Sequence, residues 1–283
     1  MFVIFTLLAV VVPIVSFLVY LRLLPTLERN VQKLAAPSGK SKGRNLISTF
    51  LANISCRTQM ERVFFQFTWA MIKKERKFKL KVYPSLGLSL VFPFIFLFSM
   101  GSQSLDSLQG SPKFALIYFC AMLIPTYIIM IRYSDKHKGA WIYEVMPVQN
   151  EAIIYKSMIK ASFFRLVLPI YILVSVVFGY LFGLQMIPDL IAVLLTLMLY
   201  TVLTFFYFEK TLPFSKPFDV GQQAEGVKVV PIMLVLFLLA MWHLGMMQWG
   251  YGTYLHIGIL LILNYAVWKW GFSKKILMHG VNV

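Results

Sequence analysis

Long apolar stretches that alternate with strongly basic segments constrain this chain more than any other feature of its sequence. An α-helix rises about 1.5 Å per residue, so about 20 residues cross the roughly 30 Å hydrocarbon core of a bilayer. Seven stretches approach or exceed that length, at residues 2–24, 84–102, 114–131, 166–183, 188–208, 231–248 and 253–268. The pattern predicts an all-α fold, a polytopic transmembrane helical bundle of about seven spans, of which the last is the shortest.

The overall composition agrees with a membrane protein and argues against a nucleic-acid partner. Hydrophobic residues make up 59% of the chain and charged residues 13%, whereas soluble domains carry about a quarter charged residues. A net charge of +16 could suit nucleic acid if it formed a water-exposed basic face. The basic residues instead lie between apolar runs that are too long for such a face.

Basic residues are segregated to one side of the predicted spans. All but one of the 27 Lys and Arg residues lie in four segments, at 22–81, 132–165, 209–228 and beyond 268. The exception is Lys113, which shares the opposite side with Asp106 and Asp189. The positive-inside rule therefore predicts a multi-pass protein of a bacterial plasma membrane, with its N-terminus outside and its C-terminus in the cytoplasm.

Three regions follow from this topology. Residues 1–24 form an N-terminal transmembrane helix, residues 25–60 a basic cytoplasmic linker, and residues 61–283 a six-span domain that opens with an amphipathic interfacial helix at 61–81. No charged residue precedes the first span. We therefore expect the chain to be the later part of a longer polytopic protein.

No candidate catalytic, metal-binding or cofactor-binding residues emerge from motifs or spacing. Gly-Lys-Ser at 39–41 resembles the end of a phosphate-binding loop, but Leu34 stands where that motif needs glycine. Cys56 and Cys120 are too far apart in sequence to suggest a disulfide scaffold or a zinc site. A role in helix contacts is expected for the histidines in the apolar runs, since no Asp, Glu or Cys lies near them; the four histidines are His137, His243, His256 and His279.

The interfacial helix combines an apolar face with a strongly basic end. Val63, Phe67, Ala70 and Met71 share one helical face, which Phe64 and Trp69 broaden. We expect this face in the lipid and the basic end on anionic headgroups, where each Lys or Arg contributes about 1 kcal/mol. Pro84 is predicted to end the helix before the next span. The headgroup contacts are assigned to Trp69, Lys73, Lys74, Arg76, Lys77, Lys79 and Lys81.

The second cytoplasmic loop carries apolar side chains that are poorly placed for water. A short amphipathic turn with Trp141, Ile142 and Val145 lies between Gly139 and Pro147. Such side chains suit a groove on a partner protein, or alternatively the headgroup layer. Further along, Asn150 can cap a helix that begins at Glu151.

From residue 61 onward the layout resembles the permease subunit of an ABC-2-type ABC exporter. The shared order is an amphipathic helix, two spans, a cytoplasmic coupling segment, two spans, a cytoplasmic loop and two final spans. Two short sequence patterns are also similar. Phe78-Lys79 with Tyr83-Pro84 precedes one span, and Ser134-Asp135 through Ala140-Trp141-Ile142 to Met146-Pro147 follows the next span.

This resemblance implies a transmembrane permease subunit that forms a transport path and couples to a separate ATP-binding cassette subunit. That partner would bind the ATP, so the chain itself would be no enzyme and would need no cofactor. A second permease half or a homodimer partner is also implied. The ATPase-coupling loop would comprise Ala140, Trp141, Ile142, Glu144, Val145 and Pro147.

Three other classes stay open at this point. A membrane-embedded enzyme acting on lipid would need buried polar clusters, and a secondary transporter usually holds ionisable groups at mid-membrane. The deep parts of the predicted spans contain no Asp, Glu, Lys or Arg, which disfavours both. A structural subunit remains the third alternative.

Overall fold

The computed structural model describes residues 46–99, 112–145, 150–218 and 226–272, and these residues form eight helices of ten or more residues and no strand. The helices are α1 Leu46–Ser55, α2 Gln59–Lys74, α3 Arg76–Ser99, α4 Pro112–Met130, α5 Ala152–Phe182, α6 Ile187–Tyr207, α7 Val229–Met247 and α8 Gly252–Trp270. The first part of α4, Pro112–Met122, is 3₁₀-helical. The predicted all-α class is therefore confirmed over the described part of the chain.

Five helices, α3 to α7, are long and apolar enough to cross a membrane. Together they give the chain the pattern of a multi-pass membrane protein. They match five of the seven predicted spans. The seventh, α8, is a helix of 19 residues but is not among the five. The first predicted span, at 2–24, lies outside the described residues.

The break between the predicted interfacial helix and the next helix lies at Glu75, which corrects the predicted boundary at Pro84. Helix α2 ends at Lys74, and α3 runs from Arg76 with both Pro84 and Pro93 inside it. Glu75 has an extended ψ of 110°, and its carboxylate accepts hydrogen bonds from the Ser134 hydroxyl and the Asp135 amide. These partners fix the break at Glu75, whereas a proline inside a helix removes one hydrogen bond and can leave the helix continuous.

Helix α5 begins well before the predicted span at 166–183. The Asn150 side-chain oxygen accepts a hydrogen bond from the Ala152 amide at 3.0 Å, which confirms the predicted cap. The helix then continues for 31 residues through a π-helical turn at Phe163–Val167. Gly183 ends it with φ at 87°, a left-handed value that glycine adopts without strain.

One large apolar core joins all of the spanning helices. Helix α2 packs along the first part of α5, α3 along α4, and α6 along α8. Large side chains with almost no exposure fill the core, among them Tyr127, Tyr155, Tyr200, Phe78 and Phe178. By contrast, α7 and α3 are mostly uncovered: in the most apolar 18-residue stretch of each helix, only 17% of α7 and 22% of α3 is buried inside the protein. Their apolar outer faces suit a hydrocarbon solvent.

The two ends of the bundle differ in composition. At the basic end, defined here by the segments 132–145 and 208–218 and the start of α3, the chain forms one isolated bridge between Tyr133 and Lys216. The Ser134 amide donates to the Lys216 carbonyl, and the Lys216 amide to the Arg132 carbonyl, both at 2.9 Å. The opposite end holds the start of α6 and the turn between α7 and α8.

Candidate functional site

An exposed apolar loop, residues 137–145, projects at the basic end. It consists of a 3₁₀ turn at His137–Trp141 and a short helix at Ile142–Val145. Trp141 is 60% exposed, Ile142 41% and Val145 68%, while Ala140 is half-buried. The Glu144 side chain and Pro147 lie outside the described part of the chain. Four residues of the predicted ATPase-coupling loop are thus described, and all lie on one short, largely exposed segment. They are Ala140, Trp141, Ile142 and Val145.

Tyr143 holds this loop against the rest of the protein. Its hydroxyl donates to the Pro213 carbonyl at 3.2 Å, and its ring lies 6.1 Å from that of Phe64 and 6.4 Å from that of Phe67. Burial raises the pKa of the Tyr143 phenol, which keeps it protonated and able to donate. The inner side of the loop is therefore fixed to α2 and to the segment after α6, while its outer apolar side chains stay uncovered.

The base of the loop is held by charge and hydrogen bonds. The Glu75 carboxylate accepts from the Asp135 amide at 2.6 Å and from the Ser134 hydroxyl at 3.1 Å. Asp135 in turn forms an ion pair with Lys77 at 2.5 Å. These contacts connect the chain entering the loop to the break between α2 and α3.

The residues predicted to meet lipid headgroups fall into two groups. Lys73, Lys74, Arg76, Lys77 and Lys81 are exposed at the basic end, and Lys79 is half-buried. Trp69 instead packs within the protein. Its ring stacks on Phe65 at 5.9 Å, and the Arg165 guanidinium lies 4.7 Å from its centre.

Helix α2 has two apolar faces, which its sequence pattern does not separate. Phe64, Phe65 and Ile72 are buried, in a helix that packs along α5, whereas Val63 is 48% exposed and Phe67 37% exposed. The Glu61 carboxylate is also buried, and it receives the Lys160 ammonium of α5 at 2.5 Å. The helix is thus attached to the bundle by one face and open along another.

A buried polar cluster, here called the Asp–His cluster, lies at the opposite end of the bundle. It comprises Asp189 on α6, His243 on α7 and His256 on α8. The Asp189 carboxylate lies 3.4 Å from His243 Nε2 and accepts a hydrogen bond from the Thr253 hydroxyl at 3.0 Å. The two imidazole rings stack with centres 4.8 Å apart and planes 5° apart.

Tyr118 on α4 completes the surroundings of the Asp–His cluster, with its hydroxyl 2.9 Å from His243 Nδ1. Both histidines have no exposed surface, and neither ring nitrogen of His256 has a hydrogen-bond partner among the described residues. Asp189, His243 and His256 come from three separate helices, so no spacing along the sequence joins them. The sequence offered one hint of this cluster: His243 and His256 both lie near ends of predicted spans on the same side of the membrane as Asp189.

An apolar cleft of about 590 Å³ lies between α4 and α7 beside the Asp–His cluster. Tyr118 belongs to both features, because its ring lines the cleft while its hydroxyl reaches His243. Lys113 lies at the same end of α4 and also lines the cleft. The remaining wall is apolar and includes Leu116, Phe119, Met233, Phe237 and Met241.

Comparison with known proteins gives no relative from which a function could be transferred. No protein-family model, no curated protein and no solved structure matches this chain. The functional argument therefore depends on the chain's own residues and geometry.

Proposed function

We propose that this chain is the transmembrane permease subunit of an ABC exporter, which forms the transport path and couples to a separate ATP-binding cassette subunit. The observation that carries the proposal is the apolar loop. Trp141, Ile142 and Val145 point outward from a segment whose inner side is fixed by Tyr143. The resemblance of the loop sequence and span order to ABC-2-type permeases supports the same assignment.

Burial of the loop on a partner would supply binding free energy. Apolar surface removed from water contributes about 25 cal/mol per Å², and tryptophan is enriched among the residues that dominate protein interfaces. The three exposed side chains lie next to one another on one short segment, so a single groove can cover them. A groove in an ATP-binding cassette subunit is the occupant we propose.

The position of the loop suits mechanical coupling. It directly connects α4 to α5, and the Tyr133–Lys216 bridge ties its approach to the segment between α6 and α7. When ATP closes two partner subunits, a displaced loop would therefore act on several spans. The loop would contact the ATP-binding cassette subunit differently in its open and its ATP-closed state. This difference in contact free energy would favour one permease conformation over the other.

We propose that the basic end faces the cytoplasm, with the N-terminus outside, the C-terminus inside and the chain in a bacterial plasma membrane. Exposed cations at the basic end would lie on anionic headgroups, which attract them by about 1 kcal/mol each. A second permease half or a second copy of the chain would complete the transport path. The open faces of α3 and α7 offer surface for it.

The test combines Trp141→Ala with Ile142→Ala in an affinity-tagged chain expressed in its native membrane. We expect at least tenfold less co-purified ATP-binding cassette protein and ATPase activity than with the unaltered chain, at equal membrane insertion. The matched control is Trp249→Ala with Ile187→Ala, since both side chains are exposed at the opposite end. Undiminished co-purification and transport in the loop variant would refute the assignment.

A further inference from the structure

We propose that the Asp–His cluster is a proton-binding site that holds one exchangeable proton between α6, α7 and α8. Its ligand is a proton from the aqueous phase at the end of the bundle opposite the basic loops. The proposal stands on the placement of Asp189, His243 and His256 and does not depend on coupling to an ATPase.

Electrostatics favours the uptake of one proton. With its carboxylate ionised and both imidazoles neutral, the cluster carries a net charge of −1 inside an apolar bundle. An uncompensated buried charge is costly, and ionisable groups at such depth are paired or functional. One proton on His243 makes an imidazolium–carboxylate pair with Asp189 and brings the net charge to zero. A second proton would place two cations in rings stacked 4.8 Å apart.

The polar neighbours of His243 accommodate both proton states. In the neutral ring Nδ1 accepts from the Tyr118 hydroxyl, while Nε2–H lies 3.4 Å from the Asp189 carboxylate without forming a hydrogen bond. After protonation both ring nitrogens donate, so the Tyr118 oxygen becomes the acceptor.

The surroundings contain few other groups that could carry charge. Asp189 interacts electrostatically with His256 and with Tyr118, and Tyr118 also interacts with Tyr171 on α5. Both phenols are uncharged near neutral pH. Lys113 lines the neighbouring cleft on α4. No three His, Cys, Asp or Glu side chains in the described ranges are arranged to hold a metal ion.

The Asp189 side of the cluster is its more accessible side. The Asp189 side chain retains 11% of its exposure, and its partner Thr253 is half-buried beside the exposed Tyr251. His243, by contrast, is fully enclosed. Protons would reach the carboxylate first and pass to the adjacent imidazole. Tyr118 lines the cleft and its hydroxyl contacts His243. Protonation of the cluster would therefore change the hydrogen bonding of one residue in the cleft wall.

The first experiment leaves the cluster intact. Replacing His137 and His279 by Gln removes the two histidines outside the cluster, so that ¹⁵N-histidine NMR of the purified chain reports His243 and His256 alone. Between pH 4 and 9 we expect both signals to shift at one shared midpoint, with a total uptake of one proton. Absence of any titration, or two independent titrations that sum to two protons, would overturn the proposal.

A second experiment identifies the carboxylate. An ionised partner within a few ångströms typically moves a titration midpoint by about one to three pH units, so Asp189→Asn in the same background should lower it by that amount, a tenfold to thousandfold weaker proton affinity. The matched control is Asp135→Asn, because Asp135 pairs with Lys77 at the basic end. An unchanged midpoint in Asp189→Asn, measured on a folded sample, would contradict the site.

Discussion

Glu61 shows how one side chain joins three helices. Its amide is capped by the Thr58 hydroxyl at the start of α2, and one carboxylate oxygen accepts from the Arg57 amide at 2.8 Å. The other oxygen pairs with the Lys160 ammonium, which also donates to the Ser55 carbonyl at the end of α1. Removing one partner from a buried ion pair leaves the other charge uncompensated.

We predict that Glu61→Gln destabilises the protein by on the order of 3 kcal/mol, since breaking a buried pair typically costs that much. The measurement is the unfolding midpoint of the purified chain in mild detergent, with heat or added denaturant. Asp135→Asn serves as the control, because Asp135 pairs with Lys77 and both side chains are exposed, at 44% and 52%. Such an exposed pair contributes about 1 kcal/mol or less, so equal effects of the two changes would count against this role.

At this scale the sequence reveals only local partners. Thr58 and Glu61 have the spacing of a helix-capping box, and Asn150 is recognisable as a cap. Lys160 and His243 find their carboxylates on other helices, 99 and 54 positions away from Glu61 and Asp189 respectively. Such pairs depend on helix packing, which hydrophobic pattern alone does not specify.

The turn between α7 and α8 depends on a glycine. Gly252 is buried, and its amide donates to the Trp249 carbonyl at 2.8 Å. A Cβ atom at this position would lie 1.6 Å from the Met246 carbonyl oxygen. No rotation of a flexible side chain can relieve that contact, because the obstacle is backbone.

Gly252→Ala should therefore shift the turn and lower the free energy of unfolding by about 1–3 kcal/mol, the usual range for overpacking. Gly258→Ala, within α8, is the matched control, since nothing lies within 4 Å of its added methyl group. Alanine favours helix over glycine by about 1 kcal/mol, so the control should be neutral or stabilising. Denaturant unfolding of both variants checks the difference, and similar stabilities would contradict the steric account.

Helix existence was easier to predict than helix ends. Length and apolar character indicate α3 to α7, whereas the break at Glu75 depends on its contacts with Ser134 and Asp135, about 60 residues away. By contrast, the early start of α5 was predictable from Asn150, whose side-chain oxygen accepts from the Ala152 amide. The exposed Pro84 and the buried Pro93 both remain inside α3, since each proline removes only one helix hydrogen bond.

For the whole molecule, the concentration of Lys and Arg at one end of the bundle predicts that this end faces the cytoplasm and that the opposite end faces the outside of the cell. Single cysteines at Lys138 and at Tyr251 would lie at opposite ends of the bundle, and both native side chains are exposed. We expect a membrane-impermeant maleimide added to intact cells to label Tyr251→Cys and to leave Lys138→Cys unlabelled until the cells are opened. Labelling of both from outside would contradict the topology.

The native thiols should contribute little background to that experiment. Cys56 is 3% exposed and Cys120 has no exposed surface. Burial also raises the pKa of the Cys56 thiol, which reduces its reactive thiolate fraction. The unaltered chain, labelled in parallel, provides the control for this expectation.

Helix α5 has a length that sets it apart from its neighbours. Its 31 residues span about 46 Å at 1.5 Å per residue, whereas the hydrocarbon core measures roughly 30 Å. A rod of that length reaches beyond the acyl chains, and its surplus of about ten residues matches the part along which α2 packs. A displacement of α2 would thus be transmitted along α5, through its π-helical turn at Phe163–Val167, toward the opposite end of the bundle.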